Sequence, residues 1–542
     1  MTPFSPSMIA PPPARWLWWV ALGALATRWA LAAALPLTGD EALFYWWSRF
    51  LDYGYYDHPP MAAWWIAGAR ALLGEATWAV RMPAVLLQLA VGGLMWWAWA
   101  PIDRARAAWA VLLFWLTPFN WLVSLMATDT PLIFWVAASV AALVRAEHLA
   151  TTRLPGQGLP RLAWALYALS GVCIGAAFLS KYFAVLLGVA YLVYFAMWAR
   201  ARWRGLLVLV ACALPAAVLN VVWNLQHCWT NIMFNLVNRT QGGEVSSSGV
   251  LAFVGMMAYL AGPVWLWLGW RHRAAWRGAW RAQPLAACVA IVPLLCFALV
   301  AWRKDVGLHW VLAFYPFLFV LAVWVWPPTV FRQAAAGMAA FLAVHLAVVA
   351  ALVAVPLSHW QGHKLYPRIV NALDARAIVA AFDAPGVVLA ASSYGSGSIY
   401  GYALGRHVPV VGPGSVHARQ DDLIVDYAAL DGRTLRILQV RQPDLARYQA
   451  YFDAVRLLAV TQRGATFYAV EGTGFRYADY RRAVLLPINA RYYAFPDWLP
   501  VWDCPFCRRL CGEVRCPADV PPGGDGSSRG TGPADPGFDD AP

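Results

Sequence analysis

Apolar residues fall in long blocks along this chain, separated by short polar connections. The first block opens at Arg15 and runs to Leu35; others follow at roughly 80–100, 107–126, 131–146, 162–179, 183–199, 205–223, 249–269, 285–302, 309–326 and 333–355. A helix rising about 1.5 Å per residue needs around 20 such positions to cross a hydrocarbon core of roughly 30 Å. The pattern predicts a polytopic α-helical membrane protein with about eleven transmembrane helices over residues 15–356. The first block is longer than a signal-peptide core and reads as an uncleaved anchor, with the Leu-Ala-Ala-Ala run before Pro36 leaving a cleavage reading open. Residues 1–14 are Pro-rich and expected to be disordered.

The polar connections alternate in chemistry. One set carries Arg104 and Arg106, then Arg145, Arg153 and Arg161, then Arg200, Arg202 and Arg204, then Arg271 to Arg281. Basic short loops stay on the cytoplasmic side. The other set carries Asp40, Glu41, Asp52, Asp57, Asp129, Lys181, residues 224–244 and Arg303 to Asp305, and an odd number of spans puts it outside with everything beyond Val355. The N-terminus is then cytoplasmic, and the groups suited to chemistry share the outer, periplasmic face. Composition agrees: hydrophobic residues make up 61% and charged residues 13% of 542 positions, where soluble chains carry about 25% charged residues. The excess of 41 Lys plus Arg over 28 Asp plus Glu sits in those connections rather than on a soluble module, which argues for topology and against nucleic-acid binding.

After residue 356 the sequence becomes more charged and Gly-containing. Short runs at 387–391, 434–440, 455–460 and 466–470 predict strands, with helical stretches at 368–382 and 444–454, so 357–516 reads as a small extracytoplasmic α/β domain. GSGSIYG at 395–401 fits neither dinucleotide nor P-loop spacing. Cys504, Cys507, Cys511 and Cys516 form a compact array that suits two disulfides in an oxidising compartment, with zinc the alternative; the other five cysteines lie in or beside apolar runs. Residues 517–542 are rich in Gly, Pro, Asp and Ser and are expected to be a disordered tail.

The densest chemistry lies in the first outer loop, residues 36–79. From Glu41 to Leu51 the apolar Leu43, Phe44, Trp47, Phe50 and Leu51 recur at helical spacing, predicting a short interfacial helix with Asp40 and Glu41 at its N-terminal end. Asp40 could equally be a helix cap, and His58 a turn residue before Pro59 and Pro60. Lys181 is either a snorkelling lysine or a phosphate ligand, Asp129 either a helix cap before Pro131 or a second functional carboxylate, and Arg28 either a functional intramembrane charge or a snorkelling one.

The string DEALFYWWSRFLDYGYYDHPP, with Asp129 in ATDTPL, Lys181 in LSKYFAVLL, WNLQHCW at 223–229 and HWVLAFYP at 309–316, resembles the bacterial protein-mannosyltransferase-like family. These are membrane glycosyltransferases of the GT-C class, related to the lipid A aminoarabinose transferases and the polyprenyl-phosphate-galacturonate transferases. The resemblance implies a GT-C-like fold in the inner membrane and transfer of a sugar, with inversion, from a polyprenyl-phosphate donor to a lipid A, glycan or protein hydroxyl. It implies catalytic roles for Asp40, Glu41 and Asp129, with Asp40 the candidate base; Tyr56, His58 and Lys181 are the candidate substrate-binding residues beside them, and by their place on the outer side Arg239 and Lys304 are either substrate-binding or lipid-headgroup contacts and His309 either lines the donor pocket or belongs to the aromatic belt. No cofactor is required; a divalent metal is compatible but not demanded. The rival from another class is a polytopic transporter or lipid flippase, which should place its ionisable groups at mid-membrane on broken helices.

Overall fold

The computed structural model describes residues 9–154, 158–238, 247–413 and 420–516. The chain divides into two compact units, each assembled from separate stretches: Met1–Ala34, Pro59–Leu219 and Gly242–Ala354 in the first, Leu35–His58, Asn220–Gln241 and Val355–Pro542 in the second. Residues 9–13 have no regular structure. The rest of the N-terminal segment expected to be disordered and the whole tail 517–542 lie outside the described residues.

The first unit is helical. Among the described residues six helices are long and apolar enough to cross a membrane: Ala14–Ala34, Thr77–Trp99, Asp129–Thr151, Arg161–Phe178, Arg200–Gln226 and Pro328–Ala354. The number rises to eight if each of two bent pairs counts once. Ser248–Ala261 turns 96° into Pro263–Arg271, and Ala275–Ala282 turns 113° into Pro284–Val300. The first bend falls where Gly262 takes φ +77° and Pro263 opens the next helix, a helix-stop followed by a helix-start. Helices of spanning length therefore do not reach the expected eleven among the described residues. The blocks at 107–126, 183–199 and 309–326 give only the shorter helices Arg104–Trp115, Val185–Met197 and Pro316–Val325. Apolar character persisted through these blocks, but Pro118 and Pro327 sit where the first and third end. A helix the sequence reading omitted, Met61–Leu73, lies inside what was read as loop 36–79.

Within lipid, helices gain little by hiding apolar surface and associate instead through close packing and buried polar contacts. Gly171 and Gly175, four residues apart, let the helix Arg161–Phe178 lie against Leu209 to Ala216; a Cβ on Gly171 would stand 2.2 Å from the Leu209 carbonyl oxygen. Arg28 settles the choice left open for it. It is fully buried, and its guanidinium donates to the carbonyls of Ala84 and Asn120 and to the Gln88 side-chain oxygen, so it ties three segments together rather than reaching for the interface. The helix Asp129–Thr151 carries an acid near each end, Asp129 half-buried and Glu147 buried. Glu147 accepts from Tyr167, Tyr194 and Arg202; Asp129 is described below.

The second unit is built on a four-stranded sheet of β1 (Val387–Ala391), β2 (Thr434–Gln439), β3 (Phe452–Gln462) and β4 (Ala465–Phe475), in the order β1-β2-β4-β3. β1 and β2 are parallel, with Val387 opposite Thr434, whereas β2–β4 and β3–β4 are antiparallel. The tight β3–β4 turn uses Arg463 and Gly464, both with positive φ, the geometry that matches the strand twist. Alternate strand residues bury opposite faces. Ala390, Leu435, Ile437 and Val470 join Tyr451, Phe475 and Tyr480 on one side; Leu389, Ala391, Leu438 and Ala469 join Ile378, Phe382 and Tyr400 on the other. The stretch 444–454, expected to be helical, contributes only Ala446–Gln449 before β3 begins. GSGSIYG is the body of a helix, Tyr394–Leu404, in the β1–β2 crossover.

Candidate active site

Thr38 fixes the start of the short helix Gly39–Trp47. Its hydroxyl accepts from the Glu41 N–H, while its own N–H and hydroxyl donate to Glu41 Oε2 at 3.0 and 3.1 Å, a reciprocal capping box. Glu41 is thereby buried, 1% exposed, and its carboxylate serves the helix end. Asp40, one position earlier, is half-buried and accepts a 3.0 Å hydrogen bond from the Tyr394 hydroxyl. The two adjacent acids are separated in role by about 100° of helix rotation. Tyr394 opens the helix Tyr394–Leu404, which packs along Gly39–Trp47. A Cβ on Gly39 would come within 2.9 Å of the Gly395 Cα, and Trp46 donates to the Ser398 carbonyl at 3.2 Å. The small residues of 395–401 are what allow this approach.

After Trp47 the chain turns through residues 48–58 around Tyr55. Its ring stacks on Trp47 at 4.4 Å, and its hydroxyl donates to the Trp47 carbonyl at 2.9 Å. Burial lifts this phenol well above the usual tyrosine range, so it remains a neutral donor. A second segment clamps the turn. Trp223 donates to Asp52 Oδ2 at 3.0 Å, Asn231 to the Tyr55 carbonyl at 2.7 Å, Asn235 to the Asp57 carbonyl at 3.0 Å, and Gln226 accepts from Tyr53. His227 stacks on Trp223 and lies 3.8 Å from Asp52. Burial lowers its pKa, so it is a neutral ring at pH 7 and this approach is not an ion pair. WNLQHCW thus braces the acidic loop. Of the expected binding residues here, His58 is half-buried with its ring 6.0 Å from Phe44. Tyr56 is fully buried between Phe234 and Tyr493, a core residue of this unit with no face turned outward.

In the first unit the structure joins two residues the sequence could only treat separately. Lys181 Nζ donates to Asp129 Oδ1 and Oδ2 at 2.9 and 3.0 Å, with both side chains largely buried. The ammonium also lies 5.2 Å from the centre of the Phe183 ring, and Phe183 packs on Trp310 at 4.6 Å. His309, next to Trp310, is exposed, and Lys304 is half-buried. Arg239 lies outside the described residues.

The cysteines pair across the sequence. Cys228 bonds to Cys504 and Cys511 to Cys516. Cys507 keeps a thiol, donates to Asn489 Oδ1 at 3.3 Å and is pushed up to about 11 by burial. The sulfurs of Cys228, Cys504 and Cys507 lie within 4.8 Å of one another, but the disulfide engages two of the three. Cys228 had been read as a small core residue beside an apolar run. Its place in an outer segment, away from the four cysteines of the helices, was the available signal. Tyr394 left no sequence signal at all.

Residues 57–223 match the family model described as dolichyl-phosphate-mannose-protein mannosyltransferase. The structure is similar to that of ArnT from Cupriavidus metallidurans in its apo state (TM-score 0.60, 16% identity, 84% of this chain and 98% of that one). It also resembles the same protein bound to undecaprenyl phosphate (TM-score 0.58, 14% identity, 85% and 98%). The fold is that of ArnT, and residues 57–223 are similar to the mannosyltransferase family of the GT-C class. A curated relative, the lipid A galacturonosyltransferase RgtD of Rhizobium johnstonii, is 26% identical over 300 residues, 53% of this chain; the match spans 61% of that relative. These likenesses are to glycosyltransferases and favour the transferase over the transporter reading.

Proposed function

We propose that this chain transfers a sugar from a polyprenyl-phosphate donor to an acceptor hydroxyl in the bacterial envelope, with inversion, at the periplasmic face of the inner membrane. The observation that carries the reading is the division of labour at Asp40 and Glu41: one acid is spent on the helix cap, the other is half-buried and oriented by Tyr394. In the reaction the acceptor oxygen attacks the anomeric carbon, its proton passes to Asp40, and the bond from that carbon to the phosphate oxygen breaks. Polyprenyl phosphate departs as a stable anion, so a fixed cation serves it better than a strong acid. Lys181, held by Asp129, fills that role, and His58, Lys304 and His309 are the remaining candidates for sugar and phosphate contacts. Tyr56 and Glu41 are better explained as structural. The reaction as written balances without a metal, and a divalent cation is compatible with it. The name of the relative RgtD makes lipid A the acceptor to try first. An odd number of spans keeps the acidic loop and the C-terminal sheet on one side.

The test is transfer by purified protein in proteoliposomes supplied with polyprenyl-phosphate sugars and lipid A, read by mass spectrometry. Asp40→Asn should keep donor binding and lose roughly 10²–10⁴ in rate, the usual worth of a general base. Undiminished transfer by this variant would remove Asp40 from the chemistry.

A further inference from the structure

Two loops of the second unit are tied to the end of a membrane span, and both expose large apolar side chains. Leu225 and Gln226 are the last residues of the spanning helix Arg200–Gln226. The Leu225 carbonyl accepts from the N–H of Trp502 at 2.7 Å and of Asp503 at 3.2 Å, and the Gln226 side chain accepts from Tyr53. Trp229 donates to the Pro500 carbonyl at 2.7 Å, and the Cys228–Cys504 disulfide closes the same junction. Arg515 stiffens the other end of the later loop by donating to the Leu499 carbonyl at 3.2 Å with its guanidinium over the Phe495 ring. Segments held this firmly nevertheless leave Trp498 80%, Trp502 58%, Leu51 59% and Phe50 44% exposed. Exposed aromatic residues a few ångströms beyond the end of a span sit at headgroup depth, where an amphipathic indole is stabilised.

We infer that Trp498 and Trp502, with Phe50 and Leu51, form an aromatic foot that rests in the headgroup layer of the leaflet reached by Gln226. The foot holds these two loops at the headgroup layer. Phe50 and Leu51 directly follow the helix that carries Asp40, so the same contact sets the depth of that carboxylate. The inference depends on the span and not on whether Asp40 is the base.

The test replaces Trp498, Trp502 or the exposed Arg447 of the helix Ala446–Gln449 with p-benzoylphenylalanine in the full chain, reconstituted in vesicles of phosphatidylethanolamine and phosphatidylglycerol. After irradiation, lipid adducts are counted by mass spectrometry. Adducts at 498 and 502 several-fold above those at 447 are expected. Equal yields at all three positions, or a cross-linked dimer in place of lipid adducts, would overturn the inference. A paired variant, Trp498→Gln with Trp502→Gln, guards against loss of folding by the bulky label. It should melt as the native chain does in detergent yet lose several-fold in transfer rate in vesicles, and an unchanged rate in vesicles would also count against the foot.

Discussion

Lys181→Met should separate stability from chemistry at the Asp129 pair. The two side chains are only 10% and 13% exposed and make two hydrogen bonds of 2.9 and 3.0 Å. Methionine keeps the length and the apolar stem, so the loss is one charge, and Asp129 is left without its ammonium partner in a nearly dry site. Breaking a fully buried pair costs about 3–5 kcal/mol; the residual exposure here brings the expectation down to ~2–3 kcal/mol. Adding Asp129→Asn removes the stranded charge, so the double variant should regain about 2 kcal/mol, a coupling well outside additivity. Transfer should be lost in the single and the double variants alike, because neither offers the departing phosphate the ammonium at position 181. Melting in nanodiscs measures the first quantity and product formation the second. Additive losses of stability would show that the pair is not coupled. Recovery of transfer in the double variant would show that no charge is needed at position 181.

Two further outcomes follow from contacts in the second unit. Tyr394→Phe removes the hydroxyl that holds Asp40 while keeping the ring, so kcat should fall about tenfold, the worth of a ~1.4 kcal/mol hydrogen bond to a charged group, with the donor KM unchanged; a rise in KM alone would assign Tyr394 to binding. Arg456 and then Arg436 hold the Glu471 carboxyl below the usual carboxylate range, so its contribution to stability is complete above the unfolded value of about 4.3 and is lost as pH falls through the lowered folded value. Glu471→Gln should therefore flatten the acid side of the melting profile, and an unchanged slope below pH 4 would contradict this.

What the sequence made legible was whatever a local period encodes. Helical spacing placed Gly39–Trp47, apolar blocks placed the long helices, and β-branched runs placed the strands near 387, 434, 455 and 466. Continuous hydrophobicity could not reveal where a block breaks, which is why 107–126 was read as one span although its helix stops at Trp115. The helix Tyr394–Leu404 was not anticipated: the helix propensity of glycine is poor, yet tertiary packing against Gly39–Trp47 outweighs that cost. Contacts between distant positions left no periodic trace. Lys181 and Asp129 lie 52 residues apart and Tyr394 and Asp40 lie 354 apart, so each partner read alone kept its bland explanation.

The Cys228–Cys504 bond spans 276 residues and joins the brace of the acidic loop to nearly the last described segment. Synthesis runs from the N-terminus, so the brace around Asp52 to Asp57 is made long before its covalent partner exists. The bond can close only after residue 504 has itself been translated and moved to the same side. Completion of the acidic loop is thereby coupled to completion of the chain. A ribosome that stalls within the C-terminal sheet leaves a membrane-inserted product that has every residue of the loop and lacks its lock.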